Sequence, residues 1–290
     1  MVYSPLAVAL ALFSSFAFGA AFVLTQFALR WIPPRLGAAF SIPTSTLFFW
    51  CLAPFSIDPA EADLPAAGLF AVIGLLFPAA VTLLNFESNR LMGPNVAGAI
   101  GGLAPLFAVL LAVMLLGEQL RFWQFSAIAA IVAGVVLIYT GRGQAFTLRG
   151  PWLLALPLAA AAIRGFVQPV VKLGLERWPN PVAAVVIGYS VSSAVLILAA
   201  LVPGRTRERR FDRRGALWFA GVGLCNGCAV LSMYAALGRG PVTLVSPLIA
   251  TYPLVTLLLS ARFLKRERVD ARLAAAVAIT VGGVVLLLVT

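Results

Sequence analysis

The sequence predicts an all-α integral membrane protein with ten transmembrane helices arranged as two inverted five-helix repeats. Three observations carry that expectation: an apolar composition, ten long apolar segments, and a set of landmarks that recurs at an offset of 146 to 149 residues. Of 290 residues, 62% are hydrophobic and 11% charged, and the mean hydropathy is +1.02. A soluble domain sits nearer half apolar and a quarter charged, so ordinary soluble folds are excluded. At about 20 residues per span, ten spans take about 200 and leave no room for a sizeable soluble domain.

The segments follow in order. Pro5–Leu29 lacks a basic leader and runs on beyond the length of a signal-peptide core, so it reads as a retained first span. Gly37–Phe55 starts after Pro33-Pro34, Ala66–Phe86 after the acidic link Ser56–Pro65, and Asn95–Leu116 after Gly93-Pro94. Phe122–Thr140 closes the first half. The second half reads Trp152–Val171, Pro181–Val202, Ala216–Leu237 after the basic link Pro203–Arg214, Val242–Ala261 after Gly240-Pro241, and Arg272–Val289. None alternates with the period of two that a lipid-facing barrel strand requires. The short links make neighbouring helices antiparallel.

Net charge is +11, from 21 Lys and Arg against 10 Asp and Glu. The bases lie between apolar runs, so they report membrane topology and not nucleic-acid binding. Sixteen of the 21 fall on the links after the first, third, fifth, seventh and ninth spans, and four, Arg121, Lys172, Arg177 and Arg239, on the side of the termini. The positive-inside rule then places the basic face in the cytoplasm of a bacterial inner membrane, with both termini periplasmic.

There is no histidine, which excludes His-based catalysis, His relays and His-ligated metals. Cys51, Cys225 and Cys228 are odd in number and lie in apolar segments, as small buried hydrophobes do. The CxxC of Cys225 and Cys228 has no further ligands beside it, so neither metal nor cofactor is expected. No GxxxxGK[ST] is present, so ATP does not drive the protein directly. A membrane enzyme would want several acids or metal ligands on one face; the expectation is a non-enzyme with no catalytic residues.

The repeats span 1–141 and 150–290. Gly19 answers Gly165, and Leu29 answers Leu175. Trp31 with Pro33-Pro34 answers Trp178 with Pro179 and Pro181. Gly93-Pro94 recurs as Gly240-Pro241, Ala104-Pro105-Leu106 as Tyr252-Pro253-Leu254, Glu118 as Glu267, and Gly134 as Gly282 or Gly283. Five spans per half is odd, so the second copy enters from the opposite face and the pair is inverted, with a solute site expected near the midplane.

These residues resemble the drug/metabolite transporter superfamily, specifically its EamA-type members. The likeness covers nearly the whole chain. It is closest from Gly93-Pro94 through Leu103-Ala104-Pro105-Leu106 to Gly117-Glu118 and Gly134. The second copy departs, with Lys265-Arg266-Glu267 in place of Gly-Glu. The resemblance implies export of small metabolites by alternating access. It also implies cytoplasmic termini, which the charge distribution opposes; the charge distribution is retained here.

Arg164 lies midway along the sixth span, where an ionisable group is a functional candidate by default. Gln168 and Lys172 follow at i+4 and i+8 on one helical face, beside Pro169, whose ring removes a helical hydrogen bond. The stripe suits a carboxylate or phosphate; the other reading is an arginine locking the bundle to a carboxylate or carbonyls. Gln26, which matches Lys172, and Asn226, Tyr234 and Tyr252 could line the same cavity, with Thr25 and Thr251 beside them, or bond helix to helix. Glu87, at the end of the third span, is the candidate for a coupling proton, for Arg164's partner, or for an interfacial acid. Glu118 and Glu267 precede the last helix of each repeat and suit its N-terminus. Gly98 and Gly102 form a close-packing GxxxG, and the six tryptophans read as an interfacial belt.

The expected function is a secondary active exporter of a small organic solute, an amino acid or related anionic or zwitterionic metabolite. The alternatives are a proton-coupled exporter of cationic drugs centred on Glu87 and a non-transporting membrane assembly subunit. Expected partners are the small-molecule solute and the lipid bilayer, with no nucleic acid, in a monomer or homodimer.

Overall fold

A computed structural model describes residues 4–140, 151–201, 212–264 and 271–289. Among these it shows α-helices and no strand. They are α1 (Pro5–Ala28), α2 (Pro34–Ser56), α3 (Leu64–Leu76), α4 (Ala79–Gly101), α5 (Ala104–Leu116) and α6 (Phe122–Thr140) in the first half. The second half has α7 (Ala155–Arg177), α8 (Pro181–Leu201), α9 (Arg213–Leu237), α10 (Val242–Ile249), α11 (Tyr252–Leu264) and α12 (Ala271–Val289). Eight stretches are long and apolar enough to cross a membrane, and Ala104–Leu116 and Phe122–Ile138 add two shorter apolar helices. The protein is a multi-pass membrane protein, with ten apolar helical segments among the described residues.

Local chemistry sets most helix starts. Pro5 and Pro34 begin α1 and α2, where a missing N–H costs nothing. Asp63 caps α3 by accepting from the Ala66 N–H at 2.7 Å. Asn180 caps α8 through the Ala183 N–H at 3.0 Å, and Asp212 caps α9 through the Arg214 N–H at 2.7 Å.

The structure departs from the sequence reading in the middle of each half. The predicted third span is interrupted at Phe77-Pro78, and α4 then runs without a break through Gly93-Pro94, where two separate spans were expected. The break comes later, between Gly101 and Ala104. In the second half the equivalent Gly240-Pro241 does end a helix, and a further break at Ala250-Thr251 divides α10 from α11. Proline permits a break and does not impose one; neighbours able to take up the freed backbone groups decide it. The helix holding Arg164 also extends past Val171 to Arg177, so Lys172 lies inside it.

Close packing rests on glycines that face backbone. A Cβ on Gly19 would meet Val255 Cβ at 2.6 Å and Tyr252 O at 3.0 Å; one on Gly165 would meet Ala108 N at 2.8 Å and Ala104 O at 2.9 Å. Gly134 faces Ala276 and Thr280, and Gly283 faces Ala127 and Ile131, whereas Gly282 faces open space. The Gly134 counterpart in the packing is therefore Gly283. Helices joined this way use polar links as well: Ser45 Oγ donates to Gly223 O at 2.7 Å, and Ser192 Oγ donates to Gly74 O at 2.5 Å. Ser45→Ala and Ser192→Ala should each lower stability by about 0.6 to 1.7 kcal/mol, the usual worth of one interhelical hydrogen bond in a bilayer. Thermal unfolding in detergent reads this, and an unchanged midpoint in both variants would count against it.

Large side chains such as Phe16, Leu47, Leu110, Met114, Leu198 and Leu258 point outward, as a lipid-facing surface requires. Trp31, Trp50, Trp123, Trp152 and Trp218 are likewise open on the surface. Trp178 is the exception: it is buried against Phe70 and leaves the belt. Its place is set by packing under α3, which sequence position alone does not reveal. Gly98 lies in α4 where only the backbone is described.

Candidate functional site

The polar stripe predicted on the sixth span exists as one face of α7. Arg164 is half-buried at mid-helix. No hydrogen bond or ion pair joins its guanidinium to another described residue. One turn on, Gln168 is 5% exposed. Its Nε2 donates to Arg164 O at 3.5 Å, a long bond, and its Oε1 is buried without a hydrogen-bond partner. Buried polar atoms are normally satisfied, because an unpaired one loses water and gains nothing. A further turn on, Lys172 Nζ donates to Glu118 Oε1 at 3.1 Å and to Gly240 O at 2.9 Å.

Glu118 therefore differs from the expectation that it serves the last helix of its own repeat. Its two carboxylate oxygens accept from the Val242 N–H at 2.8 Å and the Thr243 N–H at 2.9 Å, at the N-terminus of α10 in the other half. The start of α6 is served by Gln124, whose Oε1 accepts from the Arg121 N–H at 2.9 Å. Gly117, at φ 65°, ends α5 in the left-handed region and turns the chain toward α10. Glu267 lies outside the described residues.

The remaining candidates are distributed. Tyr252 begins α11 and stacks on Phe22, with ring centroids 5.1 Å apart and planes 6° from parallel, and lies tilted against Phe18 at 6.4 Å. Tyr234 is buried on α9, and Tyr189 is buried on α8. Sequence reasoning did not single out Tyr189, which sits edge-on to Phe49 at 4.9 Å; its place at the middle of the seventh span was the available signal. Asn226 is half-buried on α9, and Gln26 is exposed on α1. Thr25 Oγ1 donates to Ala21 O, and Thr251 Oγ1 donates to Leu248 O and lies 3.0 Å from Ser15 Oγ, so both bond within the bundle. Glu87 is half-buried within α4 and not at a helix end, because α4 continues past it.

The face that carries Arg177 is tied by polar links between elements. Arg177 donates Nε and Nη2 to Asp63 Oδ1 and Oδ2, both at 3.1 Å, and Asn180 Nδ2 donates to Ser56 O at 2.6 Å. The Arg177 hydrogen bonds, aided by the Ala66 N–H, hold the Asp63 carboxyl below the usual carboxylate range. A depressed folded-state value contributes stability above the unfolded value and loses it as pH falls through the folded one. The thermal midpoint should therefore drop below about pH 4, and Arg177→Ala should flatten that part of the profile. An identical acid limb in the variant would count against the link. Cys51, Cys225 and Cys228 are free thiols, and no cluster of three or more metal-ligating side chains occurs among the described residues.

Three comparisons bear on this arrangement. A curated relative from Streptantibioticus cattleyicolor, named "Probable terminal-alkyne amino-acid exporter", is 28% identical over 145 residues, covering 50% of this chain and 46% of the relative. The match thus spans about half of that relative's length. A solved crystal structure superposes with a TM-score of 0.78 at 22% identity, over 97% of this chain and 95% of the other, which shows a shared fold. The family model named EamA-like transporter family matches twice, over residues 5–140 and 151–289. Matched along almost all of its length, the chain belongs to the EamA-like transporter family.

Proposed function

We propose that the protein is a secondary active exporter of a small organic solute with an anionic or zwitterionic head group, such as an amino acid, working by alternating access. The observation that carries the head-group chemistry is the pair on α7: an arginine without an ion-pair partner among the described residues, one turn from a buried amide oxygen with none. A carboxylate or phosphate on Arg164, with a donor such as an ammonium reaching Gln168 Oε1, satisfies both groups at once. The bond from Gln168 to the backbone of its own turn does not. Export as the direction draws on the name of the relative from S. cattleyicolor.

Two inverted repeats, 1–141 and 150–290, are the frame of this reading, and the packing supports them by exchange of partners. Gly19 faces Tyr252 and Val255 as Gly165 faces Ala104 and Phe107. Gly134 faces Ala276 and Thr280 as Gly283 faces Ala127 and Ile131. Ser45 bonds to Gly223 as Ser192 bonds to Gly74. Each pair converts into the other at offsets of 146 to 149 residues, as a two-fold axis would require. Breaks in matching spans, at α4–α5 and α10–α11, are what a midplane solute site uses. The site itself is asymmetric, since Arg164, Gln168 and Lys172 fall on Phe18, Phe22 and Gln26 in the first repeat. The charge bias of the basic links supports a bacterial inner-membrane location with both termini periplasmic, and we propose a monomer or homodimer there.

The test is a thermal-stability screen of detergent-purified protein against amino acids, organic acids, phosphorylated metabolites and organic cations. A ligand at 100 times its dissociation constant adds roughly 2.7 kcal/mol to the folded state. Stabilisation by carboxylates or phosphates supports the reading. Stabilisation by cations alone, surviving Arg164→Ala, sinks it and moves the site to Glu87.

A further inference from the structure

The cation at the end of the α7 stripe is occupied by a carboxylate that comes from the other half of the protein. Glu118 binds three donors at once: the Lys172 ammonium and two backbone N–H groups that the start of α10 leaves without a helical partner. Lys172 adds Gly240 O, the carbonyl just before Pro241. The cluster is nearly closed to solvent, with the Glu118 side chain 10% exposed and that of Lys172 18%. It joins the end of α5, the last turns of α7 and the beginning of α10, a helix whose eight residues are all buried. Lys172 lies one turn, about 6 Å, beyond Gln168 toward the face that bears Arg177. Along α7 the cluster thus lies between Gln168 and the end of the helix at Arg177.

We infer that Glu118, Lys172 and the N-terminus of α10 form the gate on the Arg177 face, closed in this conformation, and that opening withdraws the Glu118 carboxylate from α10. The inference rests on the alternating-access reading. It gives the Gly117-Glu118 pair a physical meaning: the left-handed glycine turns the chain so that the acid reaches across to the other repeat. At Gly240-Pro241 the freed N–H groups have a carboxylate to receive them, and there the helix breaks.

The test reads accessibility and needs no solute. In a background with Cys51, Cys225 and Cys228 replaced by serine, Gln168→Cys supplies one thiol beneath the gate. A charged, membrane-impermeant methanethiosulfonate is then applied to the Arg177 face of sealed vesicles. Adding Glu118→Gln, which keeps the shape and removes the charge, should speed labelling from that face at least tenfold, and Lys172→Met should do the same. Unchanged labelling in variants with the parental melting temperature would overturn the gate. Should those variants fail to fold, the converse arm decides: bridging Glu118→Cys to Thr243→Cys with a short bis-maleimide should abolish labelling from that face, and persistent labelling would overturn the proposal. Because the readout is independent of ligand, a failed gate leaves the Arg164 head-group site standing, and a failed ligand screen leaves the gate standing.

Discussion

Arg164→Ala protein should bind carboxylate- or phosphate-bearing solutes about 10- to 150-fold more weakly than the parent, the usual worth of hydrogen bonds to a charged group. Arg164→Lys should fall between the two, because an ammonium keeps the charge but lacks the planar two-pronged donor that fits a carboxylate. The companion change separates binding from architecture. Gln168→Leu removes a buried oxygen that has no partner, so the solute-free protein should be as stable as the parent or more so, while the stabilisation added by ligand shrinks. If Gln168 instead held the bundle together, Gln168→Leu would lower the melting temperature without ligand. Thermal shift with and without solute on the three variants reads all of this in one experiment.

The second large effect concerns the α6–α12 seam. Gly134→Ala and Gly283→Ala should each destabilise by about 1–3 kcal/mol. The added methyl meets Ala276 O at 2.8 Å and Thr280 N at 2.9 Å in the first case, and Ala127 O at 2.9 Å and Ile131 N at 3.0 Å in the second. These are backbone atoms, so the helices must separate to make room. Gly282→Ala, one residue away and facing nothing within 4 Å, should be neutral or slightly stabilising, since alanine is the better helix former. Thermal unfolding of the three variants checks it. Equal behaviour of Gly282→Ala and Gly283→Ala would refute the seam as described.

Much of the candidate site was legible because the residues proposed for it lie on one helix. The spacing of Arg164, Gln168 and Lys172 is a property of a 3.6-residue period, and the structure leaves it intact. What the period cannot report is who answers each group. Lys172 finds Glu118, 54 residues away, and Glu118 finds the start of α10 124 residues away. Read from sequence, the same acid was assigned to the helix that follows it, which Gln124 serves instead. Glu87 moved from a helix end to a helix interior because α4 ran through Gly93-Pro94. Trp178 went under α3 although its neighbours in sequence resemble those of Trp31, which stays on the surface.

The sequence by itself determined that this chain lives in a bilayer, that it is helical, where most helices begin and end, and which residues recur between its halves. Those properties follow from hydropathy, from period, and from caps acting over three or four residues. Only the tertiary structure decided which glycine of the Gly282-Gly283 pair faces the seam, which Gly-Pro pair breaks a helix, and which carboxylate occupies Lys172. Each of these depends on a donor, acceptor or backbone brought close by packing. In a low-dielectric bundle such a neighbour determines whether a freed N–H or a charge is tolerated at all.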